Sequence, residues 1–307
     1  LPDAKGATRE PFFFPPTPSF LRGAAALDWF TEILHADLAQ QLKVKQVLYE
    51  GGTGFQTARV FLNDRLGKVL VLDDVVQTTM ADEFVYHEMM AHVPLFAHPA
   101  PKRALIIGGG DGGLLEEALK HPGLEQVTIV ELDPGVVELA KAYFHELNQG
   151  AFDNPRANLI IGDGAKFVAE TEDRFDVVMV DSTDPHGPGE ILFSEAFYRN
   201  CKRCMTPGGI LVTQNGVPFL QPEELTQSIE RFRALFNEGA AYVITVPTYA
   251  FGMMALGWAT DDAALRQTPL SLLEKRFAKA GFDTQYYTPE VHRAAFALPM
   301  YVKRLVG

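Results

Sequence analysis

Residues 103–121 read "RALIIGGGDGGLLEEALKH", and the order of their three parts decides the fold. "RALII" has the length and branched composition of a buried strand. "GGGDGG" follows, where glycines let the backbone turn tightly and approach a ligand closely. "LLEEALKH" then resumes with helical composition. Strand, glycine-rich turn and helix in that order open a strand–helix–strand unit. The turn carries Asp111 and no basic residue, so it repels phosphate and attracts an amine or a sulfonium.

The alternation continues toward the C-terminus. "QVTIVELD", "NLIIGDG", "FDVVMVDS" and "GILVTQNG" are continuous apolar strands, separated by helical stretches such as "GVVELAKAYFHEL". Strands apolar on both faces need helices on both sides, so the expected class is α/β, a doubly wound, mainly parallel sheet. Such sheets bind ligands beyond the carboxyl ends of their strands. The residues placed there are Gly108 to Gly113, Glu131 with Asp133, Asp163 with Gly164, Asp181 to Asp184, and Gln214.

Toward the N-terminus the pattern changes. Residues 1–24 are rich in Pro and Gly and read as a flexible arm. Leu27, Phe30, Leu34 and Leu38 recur at helical spacing and predict a helix over 25–42. "KQVLYEGG", "QTARVFLND" and "GKVLVLDDVVQTT" are short runs divided by Gly, Asn and Asp, which predict a small antiparallel sheet. "DEFVYHEMMAHVPLFAH", residues 82–98, is helical again and stops before Pro99. The expected division is an arm at 1–24, an N-terminal helix and small β domain at 25–83, and a Rossmann-like catalytic domain at 84–307.

A formal net charge of -12 argues against a nucleic-acid partner, which would call for a basic surface. No apolar run reaches the length of a membrane span. "PFFFPPTPSFLRG" is broken by prolines and does not read as a secretion signal, so a soluble, cytoplasmic protein is expected. Cys201 and Cys204 follow Phe197 at i+4 and i+7, on the buried side of a helix, and no second pair completes a zinc set. His87 and His92 stand five apart rather than the four that put two zinc ligands on one helix face. No metal is expected.

The strand-end acids suggest a chemistry. Glu131 falls about 20 residues beyond the glycine turn, where a carboxylate accepts hydrogen bonds from ribose hydroxyls. Asp163 ends the next strand, where an acid can accept from an adenine amine. A nucleoside among acids, with no phosphate-binding group, points to an S-adenosyl sulfonium. Asp181 and Asp184 close the following strand in "DSTDP". An alkylammonium of pKa about 10 has no lone pair at neutral pH, so a base must remove a proton before it attacks. Asp181 is assigned as that base and Asp184 as the group holding the amine. An Asx-type turn is the plain structural alternative for this pair. Two functional alternatives also stand: an amine methyltransferase, and a non-catalytic polyamine-binding protein.

Together, "LDDVVQTTMADEFVYHEMMAHVPLFAHP", "LIIGGGDGGLLEEALKHP", "VELDPGVVELA", "DSTDPHGPGEILFSEAFY", "PGGILVTQNG", "VPTY" and "HRAAFALPMY" resemble the polyamine aminopropyltransferases, most closely the bacterial spermidine synthases. The resemblance runs from about Leu48 to Tyr301. It implies transfer of the aminopropyl group of decarboxylated S-adenosylmethionine, a cosubstrate rather than a cofactor, to putrescine, giving spermidine and methylthioadenosine. It also implies a homodimer or homotetramer, with Asp181 as proton acceptor and Asp184 beside it. Gln56, Glu131, Asp163, Gly164 and Pro188 match nucleoside contacts. His87 and Asp111 match contacts to the aminopropyl or polyamine chain, and Tyr86, Gln214 and Tyr249 match the wall of the amine channel. Intact S-adenosylmethionine would bring a carboxylate close to Asp111, and that repulsion favours the decarboxylated form. Departures from the family pattern fall at Thr57, Asp74, Met80, Ala81, Ala250 and Phe251, bordering the entrance rather than the acids.

Overall fold

The computed structural model describes residues 29–183, 187–250 and 252–307. The arm at 1–24 and Asp184 lie outside them, as does Phe251.

A seven-stranded sheet forms the body of the C-terminal half. Its strands are β7 (Arg103–Gly108), β8 (Gln126–Glu131), β9 (Ala157–Ile161), β10 (Phe175–Asp181), β11 (Met205–Gln214), β12 (Glu238–Thr245) and β13 (Met253–Thr260), in the spatial order β12-β13-β11-β10-β7-β8-β9. Five strands, β9 to β11 in that order, are parallel, and β13 runs antiparallel to β11. The order reverses direction at β7 and β10, and there the fold leaves a crevice for ligand. Register puts Asp181 opposite Gly108. The base candidate is thereby delivered to the glycine turn.

The connecting helices are α1 (Glu83–Ala97), α2 (Gly113–Leu119), α3 (Pro134–Tyr143), α4 (His145–Asn148), α5 (Gly164–Glu170), α6 (Glu195–Arg203), α7 (Pro222–Leu235), α8 (Leu270–Ala280), α9 (Pro289–Ala295) and α10 (Met300–Val306). Alternate strand residues feed two apolar layers. Ile106, Val127, Ile129, Val177, Met179 and Val212 face one layer, with Met89 and Met90 of α1. Leu105, Ile107, Val130, Val178, Val180 and Leu211 face the other, with Phe197 and Cys201 of α6 and Phe232 of α7. Cys201 and Cys204 are both buried, and burial pushes the thiol of Cys204 up to about 11. They are inert packing residues at neutral pH.

The N-terminal part corrects one expectation. Residues 29–42 are not helical: β1 (Trp29–His35) and β2 (Leu38–Lys43) form an antiparallel hairpin. Helical spacing of Phe30, Leu34 and Leu38 suggested a helix, but the alternation of Phe30 and Glu32 toward the interior prevails. Phe30 packs on Phe61 at 5.7 Å, and Glu32 Oε1 accepts from Val76 N at 2.7 Å. Trp29 and Ile33 are left exposed, which an α-helix with a buried apolar face would not do.

A four-stranded antiparallel sheet follows, made of β3 (Gln46–Gly52), β4 (Thr57–Asn63), β5 (Gly67–Leu72) and β6 (Val75–Thr79). The β5–β6 turn holds Asp73 at φ 46° and Asp74 at φ 63°. This is the left-handed region for both central residues, where a glycine is usual at the second. Asp73 Oδ1 accepts from the amide and hydroxyl of Thr57, at 2.8 and 2.9 Å. Two departures from the family pattern, Thr57 and Asp74, therefore belong to one local structure.

Candidate active site

A cavity of about 670 Å³ opens where the two parts of the chain meet, within the range of small-molecule sites. Gln56, Tyr86, His87, Asp111, Glu131, Asp163, Gly164, Asp181, Gln214 and Tyr249 all line it. Asp184 lies outside the described residues. Pro188 falls in a short 3-10 segment, Gly187–Phe193.

The glycine turn is shaped around Asp181. Gly108 and Gly109 have φ of 81° and 70°, and Gly109 N donates to the Asp181 carbonyl at 3.1 Å. A Cβ on Gly108 would collide with that carbonyl, and one on Gly109 would press on the Asp181 carboxylate at 3.0 Å. Glycine is required here both by conformation and by space.

Asp181 Oδ1 accepts from the Tyr86 hydroxyl at 2.7 Å. Burial, then the charge of Asp111, push its carboxyl up to about 6, against the lowering effects of His87 and Tyr86. His87 projects from α1 with both ring nitrogens on carboxylates: Nδ1 is 2.7 Å from Glu83 Oε2, and Nε2 is 3.5 Å from Asp111 Oδ2. Burial acts to lower its pKa, but Asp111 and Glu83 outweigh burial and hold it well above the ordinary value. Asp111 also accepts from Gly113 N at 2.9 Å, and despite burial His87 holds its pKa below the usual carboxylate value.

Among the described residues, one ligand atom each of His87, Asp111 and Asp181 lie within 4.8 Å of one another. That separation would admit a divalent cation. Both ring nitrogens already face carboxylates, and an imidazole protonated on both has no lone pair for a metal. An ammonium, which needs only acceptors, suits the carboxylates better.

At the end of β8, Glu131 Oε1 accepts from Asp133 N at 2.8 Å. Burial, then the neighbouring acids Asp133 and Asp181, raise its carboxyl to about 7. Gln56 reaches across from the N-terminal sheet and donates to Asp133 Oδ2 at 3.1 Å, and Thr53 donates to the same oxygen. Asp163 borders the cavity while its Oδ1 caps α5, accepting from Ala165 N and Lys166 N at 2.8 and 3.1 Å. Gly164 is buried beneath it against Ile107.

On the far side of Asp181, Tyr249 stands 6.4 Å from Tyr86, ring centre to ring centre, and its hydroxyl donates to Gln77 O at 2.8 Å. Asp82 Oδ2 accepts from Thr248 N and Oγ1 at 2.8 and 2.6 Å, fixing the loop that carries Tyr249. Gln214 ends β11 and is buried. Two acids escaped the reading of the sequence as site residues, and Asp133 was placed at a strand end without a role. Glu32 of β1 lines the cavity and Glu83 backs His87, while Asp133 braces Gln56 beside Glu131. A charged residue inside an otherwise apolar strand was the signal available for Glu32.

The family models resolve what this combination of scaffold and acids is. A spermine/spermidine synthase domain matches residues 83–268, and a spermidine synthase tetramerisation domain matches residues 28–80. The chain belongs to the spermine/spermidine synthase family. A polyamine aminopropyltransferase of Ruegeria sp. (strain TM1040) is 56% identical over 90% of this chain and 98% of its own length. Polyamine aminopropyltransferase 1 of Pseudomonas aeruginosa is 50% identical over 91% and 97%. The crystal structure of a spermidine synthase in complex with the transition-state analogue AdoDATO superposes with a TM-score of 0.86, at 36% identity over 92% of this chain and 97% of that one. The spermidine synthase of Thermotoga maritima gives 0.83 at 35% identity, over 92% and 96%. This member of the spermine/spermidine synthase family is an aminopropyltransferase with a Rossmann-like sheet and N-terminal antiparallel sheets.

Proposed function

We propose that this aminopropyltransferase moves the aminopropyl group of decarboxylated S-adenosylmethionine to putrescine, releasing spermidine and methylthioadenosine. The observation carrying this reading is the convergence of Asp111 and Asp181 on one cavity whose other end presents Glu131 and Asp163. Cations fit between the first pair and a nucleoside along the second.

The acceptor ammonium gives one proton to Asp181. Its freed lone pair forms a bond to the propyl carbon on sulfur, the C–S bond breaks, and its electron pair stays on sulfur as a thioether. A carboxyl of pKa about 6 taking a proton from an ammonium of pKa about 10 is uphill by about 5 kcal/mol. That is affordable within the barrier of about 16 kcal/mol that a turnover on the order of 10 s⁻¹ allows. Tyr86 orients the base, and Asp111 with Asp184 hold ammonium groups. Gln214 and Tyr249 wall the amine, while Gln56, Gly164 and Pro188 border the nucleoside. The cosubstrate is consumed, so the reaction as read needs neither a resident cofactor nor a metal.

The family match over residues 28–80, together with exposed Trp29 and Ile33 on the N-terminal hairpin, supports a homodimer or homotetramer that covers these side chains. Among the described residues no helix is long and apolar enough to cross a membrane, which accords with a cytoplasmic enzyme.

Mass spectrometry of products decides the reading. Purified protein incubated with putrescine and decarboxylated S-adenosylmethionine should give spermidine. A methylated amine formed from intact S-adenosylmethionine would instead establish a methyltransferase.

A further inference from the structure

Glu83 opens α1, one turn before His87, and faces away from the substrate. With Thr78, Thr79, Asp82, Thr248 and the back of the His87 ring it lines a separate cavity of about 10 Å³, room for about one water. The ring therefore forms a partition. Its Nδ1 meets Glu83 behind, and its Nε2 meets Asp111 in front. The ring lies against Gly113, where a side chain of any size would collide with its Cε1 and Nδ1. Its plane is consequently fixed.

We propose that Glu83 is a positioning residue for the transfer reaction: acting through His87, it holds the ring as an imidazolium and so places a fixed positive charge beside Asp111 and Asp181. The inference rests on the amine-site reading above and deepens it. Two carboxylates so close repel each other, and one would be driven to its protonated, unreactive form unless a cation stood between them. Before the amine arrives, His87 is that cation. The ionisable groups facing the ring are Glu83 and Tyr86 on its own helix, Asp111 from the glycine turn and Asp181 from the end of β10. Glu116 on α2 lies beyond Glu83. Glu116 is ion-paired with Lys120 at 3.0 Å, and of the groups that face the ring itself none is a cation.

Glu83→Gln keeps an oxygen that can accept from Nδ1 but removes the charge. The His87 resonances of ¹⁵N-histidine protein, assigned by their loss in His87→Gln, read the ring directly. In the unmodified protein they should show an imidazolium at pH 8, and in Glu83→Gln a neutral ring. The acid limb of kcat should move to higher pH by about one unit, giving roughly fivefold lower kcat at pH 6 but near-normal turnover at pH 9. Glu83→Asp, with a charge set back by one methylene, should restore part of the limb. A neutral His87 at pH 7.5 in the unmodified protein would overturn the proposal even if Glu83→Gln failed to fold. So would a Glu83→Gln enzyme with unchanged ring titration and pH profile. The spectroscopic arm needs no turnover, so failure of the charge assignment is separable from failure of the transferase reading.

Discussion

The Tyr86 hydroxyl donates to Asp181 Oδ1 at 2.7 Å, across 95 residues of sequence. One helix of the catalytic half thereby aims the carboxylate that ends β10, and the first two predictions concern that pair.

Replacing Asp181 with Asn should abolish turnover, by on the order of 10³-fold or more, while binding of methylthioadenosine persists. It should also stabilise the fold at high pH. With its pKa raised to about 6, above the unfolded value near 4, native Asp181 binds more protons than the unfolded chain between those pH values. Wild-type stability therefore falls as pH rises through that window. Asn escapes this loss, so the variant should melt about 2–4 °C higher at pH 8, with the difference vanishing below pH 4. Calorimetric scans at the two pH values measure it.

Tyr86→Phe removes a donor that favours the charged carboxylate, so the Asp181 pKa rises further. The pH profile of kcat should keep its shape while its acid limb moves upward from about 6. Activity should drop several-fold near pH 6 and little at pH 9. A uniform loss at every pH would point to lost packing instead.

In the proposed reading Glu131 accepts from both ribose hydroxyls, which its ionised form does more strongly than its protonated form, and its pKa is raised to about 7. Affinity for methylthioadenosine should therefore weaken by up to tenfold per unit as pH falls below 7, and level off above it. Isothermal titration between pH 5.5 and 8.5 tests the slope. Glu131→Gln should flatten it.

Asp74 sits at φ 63°, where a Cβ is strained. Asp74→Gly should relieve up to about 1 kcal/mol of that strain and raise the melting temperature by about 2 °C, leaving kcat unchanged. Thermal melts and a parallel rate assay suffice.

The parallel sheet was legible because its determinants are local: an apolar strand, a turn only glycine can make, then a helix. The strand-end acids were legible for the same reason, since topology alone sends Asp111, Glu131, Asp163 and Asp181 to one edge. β12 and β13 went unread because "EGAAYVIT" and "MMALGWAT" mix small residues with few turn signals, and their place is settled by pairing with β11. The β1–β2 hairpin was misread because Phe30, Leu34 and Leu38 satisfy helical spacing equally well. What decides it is a partner elsewhere, the Val76 amide that Glu32 serves. Glu83 was invisible for a related reason: its role depends on which side of an imidazole it lies, and spacing along one helix cannot say that.

Gln40 of the hairpin also donates to the Thr248 carbonyl at 3.0 Å, so a strand of the N-terminal part latches the loop bearing Tyr249. The cavity wall that carries Tyr249 is thus steadied from outside its own half of the chain. A change in that strand can therefore reshape one wall of the cavity while Asp111 and Asp181 stay in place.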